Sequence, residues 1–481
     1  MAEPILVGKN EAQESVRLYP EMANRHGLIA GATGTGKTLS LKRLAEQFSA
    51  MGVPVFITDI KGDLSGLSEK GDPHNPKIAA RLSELQLNDF TFEPFPLTQW
   101  DVFGVEGIPL RTTVSEMGPL LLAELLDLNP TQSGVLTTAF KIADDQGLLL
   151  LDLKDLQALL NHVAQENKTY SPTYGNIASV TVNAIQRQLT GLSSALQDNF
   201  FGEPSLVLTD LLQTDSSTGK GMIHLLMARQ LLLQPRLYAL FLLWFLSELF
   251  ETLPEVGDLE KPKLVVFFDE AHVLFNNMPS VLRDKIKQVT LLIRSKGVGL
   301  YFVTQNPQDI DEDVLGQLGN RIQHALRIFT PNDKKALKAL AGGFRENPDL
   351  DLEALIPMLG VGEAIVSTLD EKGMPAIPVK TRMVPPQSAN GPAQNPDAQD
   401  QSGLRQKYRQ AVDRQSAYEH LQQRVVAAAP PSQSKPSQNT PVRRASKDPG
   451  QLLVESAARA IGGQVGRSLI RGILGSLMRR H

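Results

Sequence analysis

Short apolar runs alternate with amphipathic stretches along most of this chain. His26–Ala30 reads as a short buried strand. It is followed by Leu39–Phe48, whose apolar residues recur at helical spacing. Val53–Thr58 reads as a second buried strand ending at Asp59, and Thr91–Phe95 as a weaker one. From Thr112 to about Leu196 the period is helical, with Leu120–Leu126 and Leu156–Val163 as its clearest segments. Alternation resumes with a strand at Gly221–Leu226 and a helix from Pro235 to about Thr252, with Pro254 just beyond its end. Strands are then expected at Lys263–Phe268, Gly299–Thr304 and Ile322–Ile328, separated by helices at Ser280–Arg294 and Asp311–Leu318. Strand–helix alternation of this kind predicts an α/β fold with a mostly parallel sheet covered on both faces. The helical stretch, about 112–200, reads as an insertion within it.

Near Val384 the pattern stops. Two Pro/Gln/Asn/Ser stretches, one from Pro385 and one over Pro430–Pro449, hold too little apolar surface to fold. The expected organisation is one large α/β domain over 1–383, a largely disordered linker over 384–450 with a short basic helix in 403–428, and a basic amphipathic helix over 451–481. In that last segment Ile461, Val465, Leu469, Ile473 and Leu477 recur at steps of four among five arginines. Three readings of it compete: docking on a partner or on its own core, lying on an acidic membrane surface, or staying disordered.

Composition is that of a globular protein, with 42% hydrophobic and 21% charged residues. The 481 residues contain no cysteine, which excludes disulfides, thiolate metal sites and cysteine nucleophiles. No secretory leader is visible at the N-terminus. The most apolar stretch, Leu237–Phe250, is too short for a membrane span and contains Glu248, so a buried helix and a cytoplasmic protein are expected. Residues 401–481 carry 14 Lys/Arg against 4 Asp/Glu, a net +10, so the first 400 carry −14. An acidic body weakens a general DNA-coating role without excluding a basic pore.

The chemistry begins at Gly31-Ala32-Thr33-Gly34-Thr35-Gly36-Lys37-Thr38, which matches G-x-x-x-x-G-K-[ST] between a strand and a helix. Its backbone N–H groups suit the phosphates of ATP. Lys37 reaches the β- and γ-phosphates, and the Thr38 hydroxyl reaches Mg²⁺. The run Leu264–Phe268 ends in Asp269-Glu270. Asp269 is the expected second holder of Mg²⁺, and Glu270 the base that orients and deprotonates the attacking water. Two acids here favour ATP hydrolysis that drives work over phosphoryl transfer to a small molecule. Gln305, at the tip of the next strand, reads as a γ-phosphate sensor or a plain turn residue. Arg294, closing a helix before a glycine turn, reads as a residue complementing the helix dipole or as an arginine finger for a neighbouring subunit's ATP. Arg321 and Arg327 are weaker candidates for that finger. His272 reads as structural or catalytic. Asp59-Ile60-Lys61-Gly62-Asp63 is expected beside the P-loop strand, where Asp59 either touches metal-bound water or the ribose, or caps its own turn.

These strings together resemble the HerA/FtsK branch of ring-forming P-loop ATPases, and within it a bacterial HerA-like helicase-domain family. The resemblance rests on Gly31–Thr38, Asp59–Gly66, Trp100–Gly104, Leu128–Gln132, Leu253–Asp258, Val266–His272 and Gly319–Leu326, and covers roughly residues 5–382. It implies a RecA-like core, a homo-hexamer, ATP hydrolysis and translocation on double-stranded DNA. Glu270 is then catalytic, Arg294 acts in trans and Gln305 is the sensor. HerA proper carries an N-terminal β-barrel that binds a nuclease. With the P-loop at residue 31, neither that domain nor a nuclease partner is expected. The leading expectation is therefore a DNA-translocating or helicase-like ATPase. The alternative is an ATP-switched assembly or regulatory ATPase with no nucleic-acid track, membrane-peripheral or bound to a partner protein through its C-terminal helix.

Overall fold

The computed structural model describes residues 2–196, 199–257, 259–276, 280–394 and 403–428. The second Pro-rich stretch and the 451–481 segment lie outside the described residues. Twelve strands form one sheet: β1 Ile5–Lys9, β2 Ser15–Leu18, β3 Gly27–Ala30, β4 Val55–Asp59, β5 Leu97–Asp101, β6 Ile108–Pro109, β7 Ile223–Met227, β8 Leu264–Phe268, β9 Val298–Thr304, β10 Asn320–Gln323, β11 Glu363–Ser367 and β12 Val379–Met383. Their order is β2-β1-β12-β11-β10-β3-β9-β8-β4-β7-β5-β6. The run from β10 to β6 is parallel and the four strands from β2 to β11 join it antiparallel. This is the RecA-like P-loop arrangement, with β9 inserted between the P-loop strand β3 and the acidic strand β8. It also corrects one expectation: β4, and with it Asp59, is not beside β3 but two strands removed, beyond β9 and β8.

Alternate side chains of the central strands feed two cores, as the strand period requires. On one face Val55, Ile57, Val265, Phe267, Tyr301 and Val303 pack with Leu41, Leu44, Ala45 and Phe48 of the helix Lys37–Ala50. Each of these large side chains stabilises the fold by about 1.5–3 kcal/mol on burial. On the other face Phe56, Val266, Phe268, Leu300 and Phe302 meet the helix Pro235–Thr252, buried along most of its length. Beyond it lies the expected helical insertion: Val114–Leu125, Pro130–Gln146, Leu153–Gln165, Asn167–Tyr174 and Ser179–Leu196. Three of its helices start at capping boxes, Thr113 with Glu116, Asn129 with Gln132 and Asp152 with Asp155. The Leu128–Gln132 string is therefore a helix start with Pro130 at its first position. Among the described residues no helix is long and apolar enough to cross a membrane.

Two strands lie elsewhere than their apolar runs suggest. Thr91–Phe95 pairs with no strand, because Pro94 and Pro96 remove the ladder donors around it, and the strand forms at Leu97–Asp101 instead. The last parallel strand ends at Gln323. Beyond it His324 N–H donates to Ala30 O at 2.7 Å and Ala325 O accepts from Ala32 N–H at 2.7 Å, so the chain follows the P-loop turn rather than the sheet.

The stretch expected as linker from residue 384 is packed as far as residue 394. Glu46, fully buried on the P-loop helix, accepts from Gln387 N at 2.7 Å, Ser388 N at 2.9 Å and Ser388 Oγ at 2.5 Å. Beside it Lys42 donates to Ala389 O, and Arg43 to Gln387 Oε1 at 3.0 Å. Charged residues on this helix face thus act as anchors for a strap. The 403–428 segment forms two short helices, Leu404–Tyr408 and Ala417–Ala428, in place of one. The break follows from Tyr408, whose hydroxyl donates to Asp210 at 2.5 Å while Arg111 holds its carbonyl at 2.8 Å. Lys407 pairs with Asp210 at 2.5 Å and Arg414 with Glu203 at 2.5 Å, so acidic body and basic segment neutralise one another.

Candidate functional site

The C-terminal ends of β3, β9, β8 and β4 meet at one edge of the sheet, where ligands bind in parallel α/β folds. From β3 the chain turns through Gly31–Gly36 into the helix Lys37–Ala50. Gly31 has φ +149°, and a Cβ there would lie 2.6 Å from His324 Cβ, so no larger residue fits. Gly36 caps the helix at φ +117° without any side-chain hydrogen bond. The first N–H groups of the helix are thereby left for an anion. Inside the loop Thr35 Oγ1 donates to Ala32 O at 2.7 Å, and Gly362 N–H, at the start of β11, donates to Thr35 O at 3.0 Å.

Lys37 folds over this loop and donates to Gly31 O at 2.6 Å and Ala32 O at 3.0 Å. Burial pulls its ammonium below the ordinary lysine range, against the pull of Glu270. Thr38 follows, half-buried at the helix start.

Asp269 is buried at the end of β8. Its N–H donates to Thr58 Oγ1 at 3.2 Å, while its Oδ2 has no hydrogen-bond partner among the described residues. Burial pushes its carboxyl up to about 7 despite nearby Lys61. A buried carboxylate oxygen without a hydrogen-bond partner among the described residues, at the sheet edge that also carries the P-loop, suits a hard cation. Mg²⁺ needs only one or two protein oxygens when phosphates and water supply the rest, and Asp269 with the Thr38 hydroxyl fits that demand.

Glu270 adopts φ +48°, a conformation rare for a residue of its size. The position is held by Ala271 N–H donating to Val303 O at 2.8 Å. Three side chains surround its carboxylate. Lys61 Nζ lies 2.5 Å from Oε1, Gln305 Nε2 donates across 3.4 and 3.3 Å to the two oxygens, and His272 Nδ1 lies 3.3 Å from Oε2 without hydrogen-bond alignment. Burial alone would raise the carboxyl, but Lys61, Gln305 and His272 outweigh it and hold it below the ordinary range. Gln305 also reaches the P-loop: Thr33 Oγ1 donates to Gln305 Oε1 at 3.3 Å. A continuous polar chain Thr33–Gln305–Glu270–Lys61 therefore crosses the sheet edge from β3 to β4.

Arg294 is not part of this cluster. It is exposed in the short 3₁₀ turn Arg294–Lys296 before β9, whereas Gln305 directly follows the end of that strand. Seven residues of strand separate the two ends by about 20 Å. The weaker arginines are committed elsewhere. Arg321 donates to Leu318 O, Gly343 O and Leu315 O, and Arg327 to Pro357 O. Asp59 caps its own turn, its Oδ1 accepting from Gly62 N at 2.6 Å and its Oδ2 from Leu64 N at 3.0 Å.

Two residues without an assigned role in the sequence reading belong to the site. Lys61 is one; its signal was the charged turn closing β4. His324 is the other, wedged behind the P-loop with Nδ1 on Glu363 O at 2.9 Å and Nε2 on Ser40 Oγ at 2.9 Å. A carbonyl on Nδ1 requires the proton there, and burial pulls the ring down to about 4, so it is neutral near pH 7 and Nε2 accepts from Ser40 Oγ. His324 falls within the expected strand Ile322–Ile328, where alternation alone gives no sign that the chain leaves the sheet to back the P-loop.

The chain matches the family model described as helicase HerA-like C-terminal over residues 5–450. It is 36% identical over 116 residues to a probable helicase of Methanocaldococcus jannaschii, covering 23% of this chain and 20% of that protein. It is 34% identical over 104 residues to the DNA double-strand break repair helicase HerA of Saccharolobus solfataricus, covering 21% and 20%. The matched stretch thus spans about a fifth of the length of these relatives. Among solved structures, the bacterial conjugative coupling protein TrwB superposes with a TM-score of 0.51 at 14% identity, over 81% of this chain and 91% of that one. TrwB in complex with the non-hydrolysable GTP analogue GDPNP gives the same TM-score. These two likenesses bear on the fold, which is that of a P-loop ATPase. Its P-loop, its acidic strand and the family match over nearly the whole described chain together make this protein a member of the HerA-like helicase C-terminal family.

Proposed function

We propose that this chain is a motor ATPase that hydrolyses ATP to ADP and phosphate in a ring of six copies and moves on double-stranded DNA. The observation that carries the reading is the polar chain Thr33–Gln305–Glu270, which couples the phosphate loop to a carboxylate one strand beyond its neighbour. In this reading the N–H groups of Gly31–Thr38 wrap the phosphates, and Lys37 exchanges the carbonyls of Gly31 and Ala32 for β- and γ-phosphate oxygens. Thr38 and Asp269 hold Mg²⁺, which neutralises charge on the phosphate oxygens. Glu270 accepts the proton of the attacking water, and Gln305 orients that water and senses the γ-phosphate. Arg294 reaches the nucleotide of the adjacent copy, a role supported by its place at the far end of β9 from Gln305.

The duplex track is supported by family membership and by the helicase names of the relatives. The reading includes a cytoplasmic location, no nuclease partner, and a basic 451–481 segment that meets a partner protein or a membrane surface. One observation favours the second reading, an ATP-switched assembly protein without a track: the first 400 residues carry a net −14. ATPase rate with and without duplex DNA, at low and moderate salt, separates the two. Stimulation that weakens as salt rises supports the motor. No stimulation and no binding at low salt would sink it.

A further inference from the structure

We propose that Lys61 is a catch that parks Glu270 away from the attacking water until the motor engages its track. The inference rests on Glu270 being the base. The geometry points to restraint rather than activation. Lys61 Nζ occupies Oε1 at 2.5 Å while Gln305 and the His272 ring crowd Oε2. Lys61 and Gln305 already take hydrogen-bonding positions on the carboxylate. The His272 ring, though not aligned to bond, narrows the approach to Oε2, so less of the acceptor is open to an attacking water. Glu270 also holds an uncommon backbone conformation, φ +48°, of a kind that persists where the surroundings over-determine it.

The catch is built to open. The Glu270 side chain is 6% exposed but that of Lys61 is 40% exposed, so the ammonium has solvent to swing into. An exposed ammonium regains hydration as it leaves, while Gln305 stays on the carboxylate, so the contact can be traded for others. The turn bearing Lys61 is not free, however. Asp59 closes it from within, and Arg229, just after β7, donates to Lys61 O at 2.9 Å. Arg229 in turn lies 3.9 Å from Glu106, in the loop between β5 and β6 that precedes the helical insertion. A load on that layer thus has a route, Glu106–Arg229–Lys61, to the carboxylate. Gln305, which touches both Thr33 and Glu270, supplies the second route, from the phosphate loop.

The test compares the full chain with Lys61→Ala, Lys61→Arg and Glu270→Gln, measuring kcat and KM for ATP with and without duplex DNA and thermal midpoints. The catch predicts that Lys61→Ala raises the DNA-free kcat about five-fold or more, leaves KM unchanged and the thermal transition cooperative, and shrinks the ratio of DNA-stimulated to DNA-free rate. Lys61→Arg, which keeps the cation, restores the low DNA-free rate. An unchanged or lower DNA-free kcat in Lys61→Ala, with Glu270→Gln inactive, overturns the catch and leaves Glu270 as the base. Full turnover in Glu270→Gln overturns both.

Discussion

Arg294 and Gln305 stand at opposite ends of the same strand, one in the turn that enters β9 and the other directly after it. A single copy therefore presents Gln305 at one edge of its sheet and Arg294 about a strand's length away at the other. Arg294→Ala is expected to lower kcat by about 10³-fold, the lower bound for an arginine finger. Mixing Arg294→Ala copies with Lys37→Ala copies is expected to restore part of the rate, because some interfaces then pair an intact P-loop with an intact arginine. No recovery at any mixing ratio, in assemblies shown to be mixed, would remove Arg294 from this role.

Glu270→Gln keeps the shape of the side chain and removes the proton acceptor. ATP affinity, measured by titrating a fluorescent analogue, is expected to stay within a few-fold of the parent, while kcat falls by about 10²–10⁴-fold. Loss of binding together with turnover would instead make Glu270 part of the nucleotide cradle.

Stability is expected to fall with acid through His26. Its Nδ1 accepts from Leu300 N–H at 3.0 Å, so the single ring proton sits on Nε2 and is donated to Thr290 O at 2.9 Å. Burial pulls its pKa down to about 4. The folded value lies below the unfolded one of about 6.5. The neutral ring's contribution is therefore complete above pH 6.5 and is lost progressively between 6.5 and 4, on the order of 3 kcal/mol. Urea midpoints measured across that window should decline more steeply for the parent than for His26→Gln. Parallel curves would show that His26 is not the titrating group.

Glu46 anchors the 385–394 strap, and removing it leaves Lys42 and Arg43 buried beside unpaired Gln387 and Ser388 N–H groups. Glu46→Ala is expected to cost about 3–5 kcal/mol, whereas Ser388→Ala costs about 1 kcal/mol. Chemical denaturation gives the two values, and limited proteolysis should cut Glu46→Ala first within the strap. Equal losses from the two changes would mean that the carboxylate is not the anchor.

Much of this site was legible because its chemistry is local. Gly31–Thr38 needs only a strand, a turn of defined shape and a helix start, all encoded within about twenty consecutive residues, and Asp269-Glu270 announces itself by the apolar run before it. Family strings that looked functional prove partly architectural. Asn129–Gln132 is a capping box, and Asp101, in the Trp100–Gly104 string, closes a turn by accepting from Phe103, Val105 and Glu106 N–H groups. The extent of the linker was misread for the converse reason: the composition of 384–394 is that of a disordered segment, and only Lys42, Arg43 and Glu46 across the fold reveal its partners.

The sequence by itself determined the P-loop, the acidic strand, the helical insertion and the alternation that makes a parallel sheet, since each depends on spacing within one element. Strand order was decided only in three dimensions. Side-chain period says which faces of a strand are buried but not which strand lies beside it, so nothing in the chain revealed that β9 and β8 stand between β3 and β4. That order sets Gln305 between Thr33 and Glu270, brings Lys61 to the far side of the same carboxylate, and leaves Arg294 at the opposite edge.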